Sequence, residues 1–130
     1  MKKDLRDRIR RMFDGKCAYC GNELSEKGWH VDHREPIFRG WEKRPGRAGD
    51  DVEGNMMPSC ARCNLRKRTL TIEQFRVEIE AQTERLRKHN NQYRLASDYG
   101  LIVETGVKVQ FHFEKSNSYS TFSERQGASF

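Results

Sequence analysis

Cys60-Ala61-Arg62-Cys63-Asn64-Leu65-Arg66-Lys67-Arg68 decides the fold, because it answers an earlier stretch, Cys17-Ala18-Tyr19-Cys20-Gly21. The chain has four cysteines, and all of them lie in these two C-x-x-C pairs. Two intervening residues let both thiolates of a knuckle turn toward one ion, and two knuckles supply the four sulfurs of a tetrahedral zinc site. Gly21 suits the tight turn, since glycine tolerates positive φ. Two disulfides would suit a secreted chain, but the start, Met1-Lys2-Lys3-Asp4-Leu5-Arg6-Asp7, is charged and lacks the apolar region of a secretory signal. A thioredoxin-like redox pair needs one C-x-x-C in a βαβ context, not two matched knuckles. The expectation is structural zinc on Cys17, Cys20, Cys60 and Cys63. A site closed by four cysteines supports folding and does no chemistry.

Between the knuckles lie 39 residues, more than a simple ribbon needs. Trp29-His30-Val31-Asp32-His33 reads as a short strand, and Pro36 ends its ladder. Residues 34–54 are rich in arginine, glycine and charge, with Gly40, Pro45, Gly46, Gly49 and Gly54, and read as a long functional or mobile loop. Asn55-Met56-Met57-Pro58 reads as a second short strand, and residues 60–68 as a short helix carrying Arg62, Arg66, Lys67 and Arg68.

Composition narrows the partners. The 130 residues carry a net charge of +6, with 35% hydrophobic and 34% charged residues. Such a lean chain buries a small core, and small cores often rely on a metal or a disulfide. Residues 1–68 hold 17 basic and 11 acidic residues, which is 17 − 11 = +6, while residues 69–130 hold 8 of each. The whole surplus therefore sits in the N-terminal half, where it serves either a polyanionic partner or a solubilising surface. No apolar run approaches the ~18–20 residues of a membrane span.

The flanks read as scaffold. Lys2 to Phe13 predicts a basic helix with Leu5, Ile9 and Met12 or Phe13 on one face and Arg6, Arg8, Arg10 and Arg11 around them, reaching for phosphate. Thr71-Ile72-Glu73-Gln74 looks like a capping box. It predicts a long helix to about Asn90, or beyond Tyr93, with Ile72, Phe75, Ile79 and Leu86 as its buried stripe. Gly100 ends the helical stretch. Leu101-Ile102-Val103 and Val107 to Phe113 then predict a β-hairpin around Gly106, with Val107, Val109, Phe111 and Phe113 on one buried face. His112 falls on the other face and reads as incidental. Residues 116–130 are serine-rich without a period and read as a flexible tail.

The ordered pattern C-x-x-C-G, Val31-Asp32-His33, Asn55, then Cys60-x-x-Cys63-Asn64-x-x-Lys67 resembles the HNH endonuclease family over roughly residues 15–68. The downstream part looks like that of small phage-type HNH proteins. The resemblance implies an α+β fold with a ββα-metal core stabilised by the four-cysteine zinc site. It implies one domain over residues 1–115, with a core at 15–68 and a helix and hairpin extension at 69–115. It also implies hydrolysis of DNA phosphodiester bonds, as nicking or double-strand cleavage, to 3′-hydroxyl and 5′-phosphate ends.

Roles follow residue by residue from the same resemblance. His33 matches the general base, and a neutral imidazole near pH 7 can take a proton from water. Asp32 matches the carboxylate that holds the catalytic divalent cation. Asn55 matches the residue that braces the histidine-bearing loop. Asn64 stands where the third motif letter would be histidine, making an H-N-N variant. Its amide oxygen is a hard ligand that suits Mg²⁺ or Mn²⁺ better than zinc, and other divalent ions also fit. His30 shares the face of Asp32 on a strand, yet reads first as a solvent-facing or structural residue. Arg34, Arg62, Arg66, Lys67 and Arg68 are the expected contacts to the phosphate backbone of DNA, expected to be double-stranded. No membrane is implied, the expected location is the cytoplasm (of the host, for a phage protein), and a homodimer is one route to double-strand cleavage. The rival readings are a non-catalytic zinc-ribbon nucleic-acid-binding module or nuclease adaptor, and a nuclease for RNA or structured junctions.

Overall fold

A computed structural model describes residues 1–36 and 51–115. The glycine-rich middle of the loop and the expected tail at 116–130 lie outside the described residues. The chain begins with helix α1 (Lys3–Arg11), passes through the first knuckle and enters strand β1 (His30–His33). A short 3-10 turn (Glu53–Asn55) leads into strand β2 (Met56–Ser59) and helix α2 (Ala61–Lys67). Helices α3 (Ile72–Glu80), α4 (Gln82–His89), α5 (Asn91–Asp98) and α6 (His112–Lys115) follow.

The two strands pair antiparallel, His30 opposite Ser59, Val31 opposite Pro58, Asp32 opposite Met57 and His33 opposite Met56. This register fixes the site: Asp32, at the centre of β1, is buried, while His33 at its end is half-buried. Cys60 caps α2, its sulfur accepting from the Cys63 N–H at 3.4 Å. Helix and second knuckle are thus one local unit. Mixed helices on a small antiparallel sheet, with the cysteines gathered at one side, make this an α+β fold of the ββα kind.

The first knuckle is held between two layers. Ala18 N–H donates to the Pro58 carbonyl at 2.8 Å, and the Phe113 N–H donates to the Ala18 carbonyl at 2.7 Å. Tyr19 packs edge-on against Phe75, Phe111 and Phe113, and Phe75 stacks on Phe111 with centroids 5.1 Å apart. Ile9 and Phe13 of the N-terminal segment complete the core. Gly21, at φ +78°, is required twice over: an added Cβ would meet the His112 ring at 3.1 Å. His112 also packs edge-on against Phe13, so it belongs to the core's border and is not incidental.

Three sequence expectations are corrected. The long helix is divided. It is interrupted at Ala81, and of the two expected ends the nearer holds: Asn90, with extended backbone and a side chain that accepts the Tyr93 N–H, starts α5. An asparagine favours that N-cap role over a helix interior. The buried stripe accordingly ends early: Ile72 and Phe75 are buried, whereas Leu86 is 36% exposed.

The hairpin is absent among the described residues. Its alternation is real, since Val109 packs on the core and Phe111 and Phe113 are buried, but no strand answers it. Glu80 accepts the Val109 N–H at 2.9 Å, Arg76 donates to the Val109 carbonyl at 2.7 Å and Glu114 accepts the Phe111 N–H at 2.8 Å. Helix side chains thus take the bonds a partner strand would have taken. Leu101 and Val103 stay exposed.

The arginines of α1 are mostly committed within the fold. Arg6 lies 3.9 Å over the Trp29 ring and donates to the Trp29 carbonyl, Arg8 pairs with Glu53, and Arg10 donates to the Leu24 and Ser25 carbonyls. Arg6 and Arg10 therefore fasten α1 to the core, while Arg8 is held in a surface pair with Glu53.

Candidate metal centre and histidine site

The four cysteine sulfurs lie within 4.8 Å of one another, from knuckles that the local hydrogen bonds shape independently. Tyr19 N–H points at Cys17 Sγ and Cys63 N–H at Cys60 Sγ, each at 3.4 Å. With Zn–S bonds of about 2.3 Å, neighbouring sulfurs of a tetrahedron stand about 3.8 Å apart. Cys20 Sγ and Cys60 Sγ are 3.8 Å apart. The protonation balance also fits a cation. The Cys63 thiol hydrogen bond holds Cys17 down to about 4, while that same bond to Cys17 pushes Cys63 up. Burial raises Cys20. Sulfurs so close cannot all ionise beside each other unless a positive ion neutralises them.

A second cluster lies between β1 and α2. Asp32 Oδ2 accepts from the Tyr19 hydroxyl and lies 3.0 Å from the Lys67 ammonium, with Lys67 fully buried. Lys67 Nζ also donates to the His33 carbonyl at 2.9 Å. Burial, and then the Asp32 charge, push the Tyr19 phenol well above its ordinary value, so it acts as a donor here. The Lys67 side chain therefore ties α2 to β1. This corrects the expectation that it touches DNA: a side chain with no exposed surface cannot reach a phosphate.

Asp32 Oδ1 has no hydrogen-bond partner among the described residues, which leaves one hard oxygen of the carboxylate available. Asn64 is half-buried one turn before Lys67, on the same side of α2. One carboxylate oxygen and one amide oxygen are the donor types a magnesium-like ion accepts. The donor set thus fits a hard divalent cation, with the Lys67 charge already balancing Asp32.

Asn55, buried, closes the neighbouring loop. Its side-chain oxygen accepts the Glu35 N–H at 3.0 Å, its amide donates to the Glu35 carbonyl at 2.9 Å, and its own carbonyl accepts the Arg34 N–H at 2.9 Å. The residues directly after His33 are thereby clamped. The His33 ring meets Asp51, with Nε2 2.7 Å from Oδ1. Sequence reasoning passed over Tyr19 and Asp51. Tyr19's place inside a knuckle was a usable signal, whereas Asp51 in a charged loop offered none.

Arg62, Arg66 and Arg68 are exposed, and Arg34 is half-buried. Arg66 lies 4.0 Å from Glu78. Arg68 adopts φ +50° and ψ −121°, a conformation that favours glycine. His30 is exposed. No helix among the described residues is long and apolar enough to cross a membrane.

Residues 17–69 match the family model described as HNH endonuclease. That span includes both knuckles, β1, β2, α2 and every residue of the two clusters. No curated protein and no solved structure matches the chain.

Proposed function

From the premise that residues 17–69 are an HNH endonuclease-family segment, we propose that this protein hydrolyses phosphodiester bonds of double-stranded DNA. The observation that carries the reading is the clamp of Asn55 on the segment after His33, next to the buried Asp32. A zinc-ribbon module that only binds nucleic acid needs the cysteines and the positive charge. It has no use for an imidazole held at a strand end beside an available carboxylate oxygen.

In this reading zinc on Cys17, Cys20, Cys60 and Cys63 is structural. Asp32 and Asn64 would hold a divalent cation, Mg²⁺ or Mn²⁺ by donor type, which when bound supplies positive charge at the phosphate. His33 takes a proton from the attacking water. The water oxygen forms the new bond to phosphorus. The P–O3′ bond breaks with its electron pair on O3′, which takes up a proton from solvent. The ends are a 3′-hydroxyl and a 5′-phosphate. Asn55 keeps the histidine segment in place, and the Lys67–Asp32–Tyr19 contact fixes the carboxylate. Arg34, Arg62, Arg66 and Arg68 supply the backbone contacts. One such site per chain makes nicking natural for a monomer and double-strand cleavage a task for two copies. The expected setting is the cytoplasm.

Supercoiled plasmid incubated with the zinc-loaded chain decides the matter. Conversion to nicked or linear DNA with Mg²⁺ or Mn²⁺, abolished by EDTA, supports the nuclease. Tight binding without conversion under any divalent ion supports the binding module. Parallel RNA and junction substrates separate the remaining rival.

A further inference from the structure

Resting on the nuclease reading above, the geometry points to Asp51 as the positioning residue of His33. Asp51 is 18 positions from His33 in sequence, and the 2.7 Å Nε2–Oδ1 approach is made across the two ends of the loop. Asp51 and Asn55 act on consecutive parts of one segment: Asp51 on the His33 ring, Asn55 on the backbone of residues 34 and 35. An ionised carboxylate only accepts hydrogen bonds, so this contact requires the hydrogen of the neutral imidazole to be on Nε2. The lone pair then resides on Nδ1, and both ring rotation and tautomer are set before substrate arrives.

The contact also favours the step itself. When a water proton moves to Nδ1, the ring becomes a cation and its bond to Asp51 becomes charge-assisted at both ends. Asp51 therefore interacts more strongly with the ring after proton transfer than before, which lowers a barrier and not merely a ground state. Asp51 gains no proton in this step. A plain surface ion pair is the competing explanation, since the Asp51 side chain is 54% exposed against 22% for His33. Such pairs contribute little to stability and nothing to turnover.

The test uses the zinc-loaded full chain and four variants: Asp51→Ala, Asp51→Glu, His33→Ala and the Asp51→Ala/His33→Ala double. By analogy with groups that orient a ligand, Asp51→Ala should lower kcat about 10–100-fold while KM for DNA and the melting temperature stay at wild-type values. Asp51→Glu, which restores the carboxylate, should recover part of the loss. In the His33→Ala background the same substitution should change nothing, because a group acting through His33 has nothing left to act on. Imidazole nitrogen NMR, at a pH where the ring is neutral, should show Nε2 protonated in the wild type and tautomer exchange in Asp51→Ala. A wild-type chain that cuts no DNA overturns the nuclease reading. Identical nitrogen spectra in wild type and Asp51→Ala, or equal losses of activity with and without His33, overturn the positioning role even where the nuclease reading stands.

Discussion

Asp32 serves the fold and, in the function proposed above, the site as well. Its Oδ2 is engaged by Tyr19 and Lys67 in the interior, and its Oδ1 has no hydrogen-bond partner among the described residues. Removing one partner of a buried ion pair strands the other charge. Lys67→Met should therefore cost about 3–5 kcal/mol, read as a fall in the melting temperature of order 10 °C or more. A variant that melts like wild type but binds DNA more weakly would show instead that this lysine reaches the backbone. Arg68 presents the opposite case, an exposed cation on a backbone that favours glycine. Such a conformation stores about 1–3 kcal/mol, and glycine's extra freedom in the unfolded chain takes back about 0.5–1 kcal/mol. Arg68→Gly should thus melt no lower than wild type, while DNA affinity falls and its salt dependence shallows by about one unit of slope. Lower stability with unchanged DNA binding would contradict this.

Among the elements, one arginine makes several of the contacts that fasten the C-terminal segment. Arg76 grips Glu114 through both terminal guanidinium nitrogens, at 2.8 and 2.6 Å, holds the Val109 carbonyl and lies over the Phe111 ring. Burial raises the Glu114 carboxyl, but the Arg76 and Phe111 hydrogen bonds outweigh it and hold the group below its ordinary value. A depressed native carboxyl stabilises the fold above the unfolded value of about 4.3. That contribution disappears as pH falls through the native value. Glu114→Gln should therefore be less stable than wild type in urea near neutrality, with the gap closing on acidification. A gap that widens in acid would refute the clamp. These bonds also explain where sequence reading stopped. The period-2 pattern correctly named Val109, Phe111 and Phe113 as inward-facing but not Val107, which is exposed. Periodicity does not say whether the backbone finds a strand or helix side chains. The strands around Asp32 and Met57 were legible because a knuckle fixes each end of that unit. The end at Asn90 was one of the two ends the sequence offered, whereas the interruption at Ala81 carried no glycine or proline to signal it.

At the scale of the molecule, the cysteines hold together parts that are far apart in sequence. The first knuckle touches β2 and α6, and the second begins α2, so zinc would tie both ends of the ββα unit to the aromatic core. Cys60→Ser should lose the metal and much of the stability with it, since binding free energy of a structural ion is folding free energy. Full zinc occupancy with an unchanged melt would refute that. The charge surplus of residues 1–68 is also redistributed by the fold: Lys67 is buried, Arg6 and Arg10 bind carbonyls of the chain and Arg8 pairs with Glu53, while the arginines of α2 and its end face outward together with Lys2, Lys3, Arg11, Lys16 and Lys27. Composition located the surplus in the correct half but could not separate cations that build the protein from cations that face outward.

The central claim is that His33 is the base of a DNA hydrolase. Single-turnover cleavage of a DNA duplex by wild type and His33→Ala, with zinc content and DNA affinity measured on the same samples, tests it most directly. Cleavage should fall by about 10²–10⁴-fold, with zinc content and affinity unchanged. Cleavage by His33→Ala at the wild-type rate would contradict the account.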